Sequence, residues 1–275
     1  MLRLRRDYLL VAGMVIVGLV AAVTLLAPLL APFDPTVPTD GERLQPPGRP
    51  YYMGTDQLQR DVFSRVLHGG RVPILVALIS CALSLVLGTT LGWIAGYAGG
   101  RLDRVLSLVM DAIYSFPALI LAIAIVAMLG PGLANMTAAI AFVYIPTYFR
   151  VARGQVLAVR TQEFVEAARA LGASGARTLV RHIAPNTMSA VMTVPSFNIA
   201  DAILTEAALS FLGFGLPPPT PDWGFDIQNG QKFLQAGYWW LITFPGLMII
   251  LLSVGFGMIG EGVNDRLNPR RRRLV

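Results

Sequence analysis

Three carboxylates, Asp111, Asp201 and Glu206, sit inside stretches that are otherwise apolar. A charge in hydrocarbon is costly, so such residues either find a partner between helices or face a water-filled path. A path-facing carboxylate could meet the amino group of a passing substrate. Asp201 and Glu206 are five positions apart, about 140° around a helix axis, so they cannot share one narrow line along it. Asp111 lies toward one end of its stretch, where it can reach water or an arginine such as Arg104. Other reactive residue types are scarce. His68 and His182, the two histidines, fall in polar segments on opposite sides of the apolar stretches. No serine, histidine and aspartate grouping and no paired histidines occur, so neither catalysis nor a metal centre is expected. The single lysine, Lys232, follows Gln231 and no glycine-rich run, so the phosphate loop of an ATPase is missing. One cysteine, Cys81, excludes a disulfide within the chain. No covalent step and no cofactor are expected.

The elements that position these residues must suit an apolar solvent. Of 275 residues, 55% are hydrophobic and only 14% charged, and the mean hydropathy is +0.60. That is too apolar for an ordinary soluble domain. A helix needs roughly 20 apolar residues to cross the bilayer, and six stretches qualify, near Tyr8–Ala31, Pro73–Ala98, Leu106–Leu129, Leu133–Phe149, Thr187–Leu212 and Tyr238–Ile259. The first follows Arg3, Arg5 and Arg6, as a secretory signal would. Its charge-free run is too long for a signal core, and Pro28 and Pro32 interrupt its end, so an uncleaved span is expected.

The net charge of +6 is spread over the ends of the apolar stretches. Basic residues are not gathered with aromatics into a patch, so nucleic acid is not an expected partner. Alternate connections divide them unevenly. Sixteen arginines (3, 5, 6, 101, 104, 150, 153, 160, 169, 177, 181, 266 and 270–273) fall on one side, against Arg43, Arg49, Arg60, Arg65, Arg71 and Lys232 on the other. Positive residues favour the cytoplasmic side, which places both termini there, with residues 32–72 and 213–237 outside. The terminal cluster Arg270–Arg273 could also meet anionic lipid headgroups.

Between the fourth and fifth stretches, residues 150–186 are too long for a simple connection. Thr161 is expected to cap a helix whose first turn carries Gln162 and Glu163. Phe164, Ala168 and Leu171 fall on one helical face and Glu163, Glu166 and Arg169 on the other. Gly172 suits a C-terminal stop, Ser174 a second start, and Pro185 an end before the fifth stretch. On pattern alone this is an amphipathic helix that could equally lie on the membrane surface.

Glu166, Ala167, Ala168, Gly172, Ile183 and Pro185 resemble the EAA motif of permease subunits in binding-protein-dependent ABC importers, with Ala184 where the pattern has leucine. Gly54, Thr55, Asp56, Arg60, Asp61, Val62, Ser64 and Arg65 are similar to the signature of the dipeptide, oligopeptide and nickel group, although Gln59 stands where that group usually has glycine. Glu206, Ser210, Phe211, Leu212, Gly213, Gly215, Pro218, Pro219, Pro221, Trp223 and Gly224 resemble the same group's loop after the fifth span, and Pro245, Gly246, Gly260, Asp265, Leu267 and Pro269 its last span and tail. The extra first span resembles the C-type subunit.

The resemblance implies an all-α membrane protein of six transmembrane helices with the type I ABC importer fold. It implies an N-terminal helix and outer segment over residues 1–72, then a core domain over 73–275 with a cytoplasmic coupling loop at about 154–186. It makes Glu163, Glu166, Ala167, Ala168, Arg169 and Gly172 the contact to an ATPase, and leaves Asp201 and Glu206 as candidates to line the passage. The implied partners are a second permease subunit, two cytoplasmic ATP-binding subunits and an extracytoplasmic substrate-binding protein, in the inner membrane. Peptides are the expected cargo, with glutathione and nickel chelates as alternatives. A self-contained transporter or channel is the rival of another class, and the internal repeat it would usually show is not evident.

The arginine asymmetry generates a topological test. Single cysteines at Gly41 and Gln228, in a background lacking Cys81, should react with a membrane-impermeant reagent added outside sealed cells, whereas cysteines at Ala173 and Leu274 should not. The reverse pattern would invert the topology.

Overall fold

The computed structural model describes residues 2–267, with side chains from Tyr8 to Asp265. The arginines at 3, 5 and 6, Arg266, Pro269 and the cluster Arg270–Arg273 lie outside the described side chains. Thirteen α-helices follow in order: α1 Leu2–Leu25, α2 Ala27–Leu30, α3 Val62–Gly69, α4 Arg71–Ala98, α5 Gly100–Tyr114, α6 Ala118–Leu129, α7 Leu133–Val159, α8 Glu163–Ala170, α9 Gly175–Arg177, α10 Ala184–Val191, α11 Pro195–Phe211, α12 Trp223–Gly230 and α13 Trp240–Leu267. A π-helical turn, Thr178–Ile183, joins α9 to α10, and a 3-10 turn, Gln231–Ala236, follows α12. Among the described residues no strand forms beyond one antiparallel bridge between Thr55 and Asp61.

Three stretches are long and apolar enough to cross a membrane unaided: Tyr8–Leu25, Val62–Ala98 and Trp240–Asp265. Residue 73, where the core is expected to begin, falls within the second, so no break in apolar helix marks that boundary. The expected third span is broken. Its halves α5 and α6 meet at 92°, because Pro117 cannot continue the preceding helix and biases Phe116 toward extended backbone. The expected fifth span is also broken: Gly175–Val191 and α11 meet at 55°, and Pro195 begins the second half. Counting each bent pair as one crossing gives five. The remaining expected stretch, the fourth, falls in α7, which is long but less apolar, since Asn135, Thr137, Tyr144, Thr147 and Tyr148 dilute it. Its position explains this. Both ends and the middle of α7 are buried, so protein and not lipid surrounds much of it.

The most extensive helix pair is α4 on α7. Gly88, Gly92 and Gly96 recur every fourth residue along α4, a spacing that stacks them on one face and lets another backbone approach closely. A Cβ at Gly88 would stand 2.5 Å from the Ile145 carbonyl oxygen, and one at Gly92 2.5 Å from that of Phe149. Around this seam α11 packs on α4 and α13, and α1 lies against α13. The principal apolar core draws Val76, Met136, Ile140, Ile203, Trp223 and Leu252 from five of these helices.

On the expected outer side, the segment before α3 is a folded cap with a buried polar frame. Asp61 caps α3 by accepting from the Ser64 amide at 2.8 Å. Asp56 pairs with Arg60 at 2.7 Å. The turn between them holds Gln59 at φ 63°, the left-handed region that glycine enters most easily, which accounts physically for the group's glycine at this position. Gln59 is held there by bonds of its own: its carbonyl accepts from the Thr39 amide at 2.8 Å, and its side-chain amide donates to the Gly41 carbonyl at 3.2 Å.

Gly92→Ala should lower the stability of the purified protein by about 1–3 kcal/mol, the usual cost of overpacking, because the atom it meets is backbone. Gly154→Ala on α7, where a Cβ meets nothing within 4 Å, should leave the thermal midpoint unchanged or raised. Equal midpoints for the two variants would show that the seam is not close-packed.

Candidate functional site

The loop between α7 and α10 forms a short helical unit packed at its root against the end of α7. Helix α8 buries Val165 and Ala168. Val165, 0% exposed, packs with Val156 and Val159 at the end of α7 and with Ile183 of the π turn. The apolar face therefore differs from the expected one, since Phe164 is 40% and Leu171 89% exposed. Two apolar faces exist, one turned to the bundle and one to the surroundings. Glu163, Glu166 and Ala167 are exposed. Arg169 lays its guanidinium 5.3 Å from the centre of the Tyr97 ring, tying α8 back to the end of α4. Arg160, at the end of α7, also reaches the end of α4, donating to the Gly96 carbonyl at 2.8 Å.

The expected N-cap is corrected: Gln162 takes that position without a side-chain bond, and the Thr161 hydroxyl instead points back to the Ala158 carbonyl at 3.5 Å. The expected stop is as drawn. Gly172 has φ 84°, its amide donates to the Arg169 carbonyl at 2.9 Å, and the Ala173 amide reaches Ala168 at 3.0 Å. This paired closure needs a left-handed residue where Gly172 stands. The Ser174 hydroxyl then accepts from the Arg177 amide at 3.4 Å. Pro185 does not end the helix. It stands in the first turn of α10, where its missing N–H is tolerated, and the wide turn before it is closed by a bond from the Ala184 amide to the Leu179 carbonyl. Such turns recur at functional positions in helices. Helix α10 then rests on α7, and Trp93 of α4 donates to the Thr187 hydroxyl at 2.9 Å.

The three intramembrane carboxylates part company. Glu206 is 0% exposed. The Ser210 hydroxyl lies 3.1 Å from Glu206 Oε1 and 3.0 Å from Asp222 Oδ2, and its one proton cannot satisfy both. Gly215 and Gly224 close over Ser210, leaving no room for a side chain at either position. Glu206 thus lies inside the seal between α11 and the loop after it, away from any open surface of this chain. Asp201 is exposed, and among the described residues no donor or cation meets its carboxylate. Beside it the Thr205 hydroxyl donates to the Asp201 carbonyl at 2.8 Å, so Tyr144 must be the donor in its 3.1 Å bond to Thr205. Asp111 pairs with Arg150 of α7 at 2.8 Å, and not with Arg104.

The outer loop docks by charge and by shape. Arg65, fully buried, binds Asp226 at 2.5 Å and the Pro35 carbonyl at 2.9 Å. Burial pushes the Asp226 carboxyl above its ordinary range, and the Arg65 guanidinium draws it part of the way back. Trp223 is buried and donates to the Val66 carbonyl at 2.9 Å.

Residues 88–273 match the family model described as the binding-protein-dependent transport system inner membrane component. The chain belongs to that family. Residues 1–47 match the N-terminal transmembrane domain of oligopeptide transport permease C. A dipeptide transport system permease protein of Alkalihalophilus pseudofirmus is 37% identical over 270 residues, covering 98% of this chain and 88% of the relative. A probable D,D-dipeptide transport system permease protein of Escherichia coli is 39% identical, covering 97% and 89%. A glutathione transport system permease protein of Pectobacterium atrosepticum is 36% identical, covering 98% and 89%. This chain is thus a membrane-embedded permease component with the type I ABC importer architecture.

The permease carries features that the sequence reading passed over. Gly88, Gly92 and Gly96 were visible as a four-residue repeat of small residues. The outward exposure of Phe164 and Leu171 was not, because periodicity cannot say which of two apolar faces a short helix buries.

Proposed function

We propose that this permease forms half of the passage of an ATP-driven peptide importer and that α8 is its contact to a cytoplasmic ATP-binding subunit. The observation that carries the reading is the two-faced helix: Val165 is locked against α7 and the π turn, while Leu171 stands 89% exposed beside Glu163, Glu166 and Ala167. An exposed leucine with flanking charge suits a protein groove, with the apolar residue as anchor and the charge setting register. Ala168 packs inward, Arg169 braces against Tyr97, and Gly172 closes the helix. Force applied to α8 then reaches α7 and α10 through buried contacts.

The assembly in this reading holds a second permease subunit, two ATP-binding subunits that perform the hydrolysis, and an extracytoplasmic substrate-binding protein. It sits in the inner membrane with both termini cytoplasmic, as the arginine asymmetry favours, in contact with lipid and not nucleic acid. Asp201, exposed and without a partner among the described residues, is the candidate to line the passage. Glu206 serves the seal of the outer loop. Peptides are the cargo, supported by the names of the dipeptide relatives; glutathione is the second reading, supported by the Pectobacterium relative.

Glu166→Arg and Gly172→Leu should each cut peptide uptake by roughly tenfold or more, since a charged contact across an interface is worth about 1.5 kcal/mol or more, while protein abundance falls far less. A Cβ at residue 172 meets no atom of this chain within 4 Å, so the main cost to the fold is that of the left-handed backbone, about 1–2 kcal/mol. Uptake is measured beside the ATP-binding subunit recovered with tagged permease. Parental uptake by both variants would reduce α8 to a surface helix.

A further inference from the structure

Helix α5 carries more charge on its exposed side than a lipid-facing helix tolerates. Asp103, Arg104, Ser107 and Asp111 line a cleft of about 600 Å³ whose opposite wall includes Arg153 of α7. The Asp111 and Arg150 side chains remain 63% and 43% exposed although they pair. On the side that the arginine asymmetry makes cytoplasmic, where Arg104, Arg150 and Arg153 lie, exposed charge of this kind faces water at the inner mouth of the bundle and not hydrocarbon.

The cleft's charges are not equally committed. Arg153 holds Asp103 through two hydrogen bonds, a closed pair that stitches α5 to α7. Arg150 is shared, bonded to Asp111 and also seated 3.9 Å from the centre of the Tyr114 ring. An exposed ion pair contributes little, and Arg150 keeps the ring if Asp111 changes partner. Arg104 meets no carboxylate among the described residues. The cleft therefore offers one free cation and one carboxylate that can be released.

Their spacing fits a particular ligand. Arg104 and Asp111 are seven residues apart, so they share one face of α5 at about 10.5 Å along the axis, with Ser107 between them. A peptide of two or three residues is about 7–11 Å long when extended, and its free ends carry one negative and one positive charge. We infer that this cleft is a peptide subsite of the passage, in which Arg104 takes the terminal carboxylate, Asp111 the terminal ammonium and Ser107 a backbone group between them. The inference rests on the peptide reading above and adds recognition of both free ends by this chain, separate from whatever the binding protein selects.

The test uses the whole transporter, purified through a tag on this chain, reconstituted in lipid nanodiscs with its binding protein and ATP. A reporter cysteine replaces Leu108, an exposed residue of the cleft, and its labelling by a water-soluble maleimide is timed. Saturating alanyl-alanine should slow labelling by about tenfold, because only the empty fraction reacts. The same dipeptide acetylated and amidated at its ends should not. Arg104→Gln or Asp111→Asn should abolish the protection. Uptake of alanyl-alanine into cells is measured in parallel. Uptake without protection, or equal protection by the capped peptide, overturns the subsite and leaves the peptide reading standing. Labelling that ignores peptide but slows with the anionic lipid content of the nanodisc assigns the cleft to headgroups and overturns the subsite. Absence of uptake removes the peptide reading and the subsite together.

Discussion

Close approach of two backbones, α4 against α7 at Gly88, Gly92 and Gly96, is the constraint on which the other parts of this permease depend. It makes α7 a rigid central strut in a medium where helices gain nothing from excluding water and associate by packing and hydrogen bonding. Everything assigned to function hangs on that strut. Its middle carries Tyr144, bonded to Thr205 next to Asp201. Farther along, Arg153 lines the cleft on α5 and Arg150 pairs with Asp111 at its edge. At its end, Val156 and Val159 hold α8. A displacement of α8 is therefore felt along one element that also borders the candidate passage, and no separate relay is needed.

Polar groups in this chain divide by how well they are closed off. Asp56, Arg60, Asp61 and Arg65 are buried and serve to fold the outer segment, and the seal at Glu206, Ser210 and Asp222 fastens the outer loop to α11. Groups left open, Asp111, Arg104, Asp201 and the exposed face of α8, are the ones available to a ligand or a partner subunit. Burying an arginine with its carboxylate is costly unless further hydrogen bonds complete it, and the carbonyls of Pro35 and Pro219 around Arg65 supply that completion.

Much of this was legible in the sequence, for reasons that can be traced to particular residues. Long apolar runs of about 20 residues suit membrane helices, and Gly172 and Ser174 mark a stop and a start that local backbone chemistry enforces. The two breaks were not placed because a proline in an apolar run is compatible with either a kink or a crossing; only packing decides that α5 and α6 turn by 92°. Pro185 misled for the same reason in reverse, since a π turn makes room for it. Glu206 and Asp201 look alike as letters in one helix. What separates them is a loop folded back from Gly215 to Gly224 that covers one and leaves the other open.

The outward face of α8 is proposed to meet an ATP-binding subunit. A photo-activatable residue placed at Leu171 in the assembled transporter, irradiated in native membranes, tests it directly, with Met128 of α6, comparably exposed at 87%, as the comparison site. We expect a covalent adduct between this permease and an ATP-binding subunit from residue 171 and none from residue 128. Adducts from residue 171 to lipid alone, or equal adducts from both sites, would contradict it.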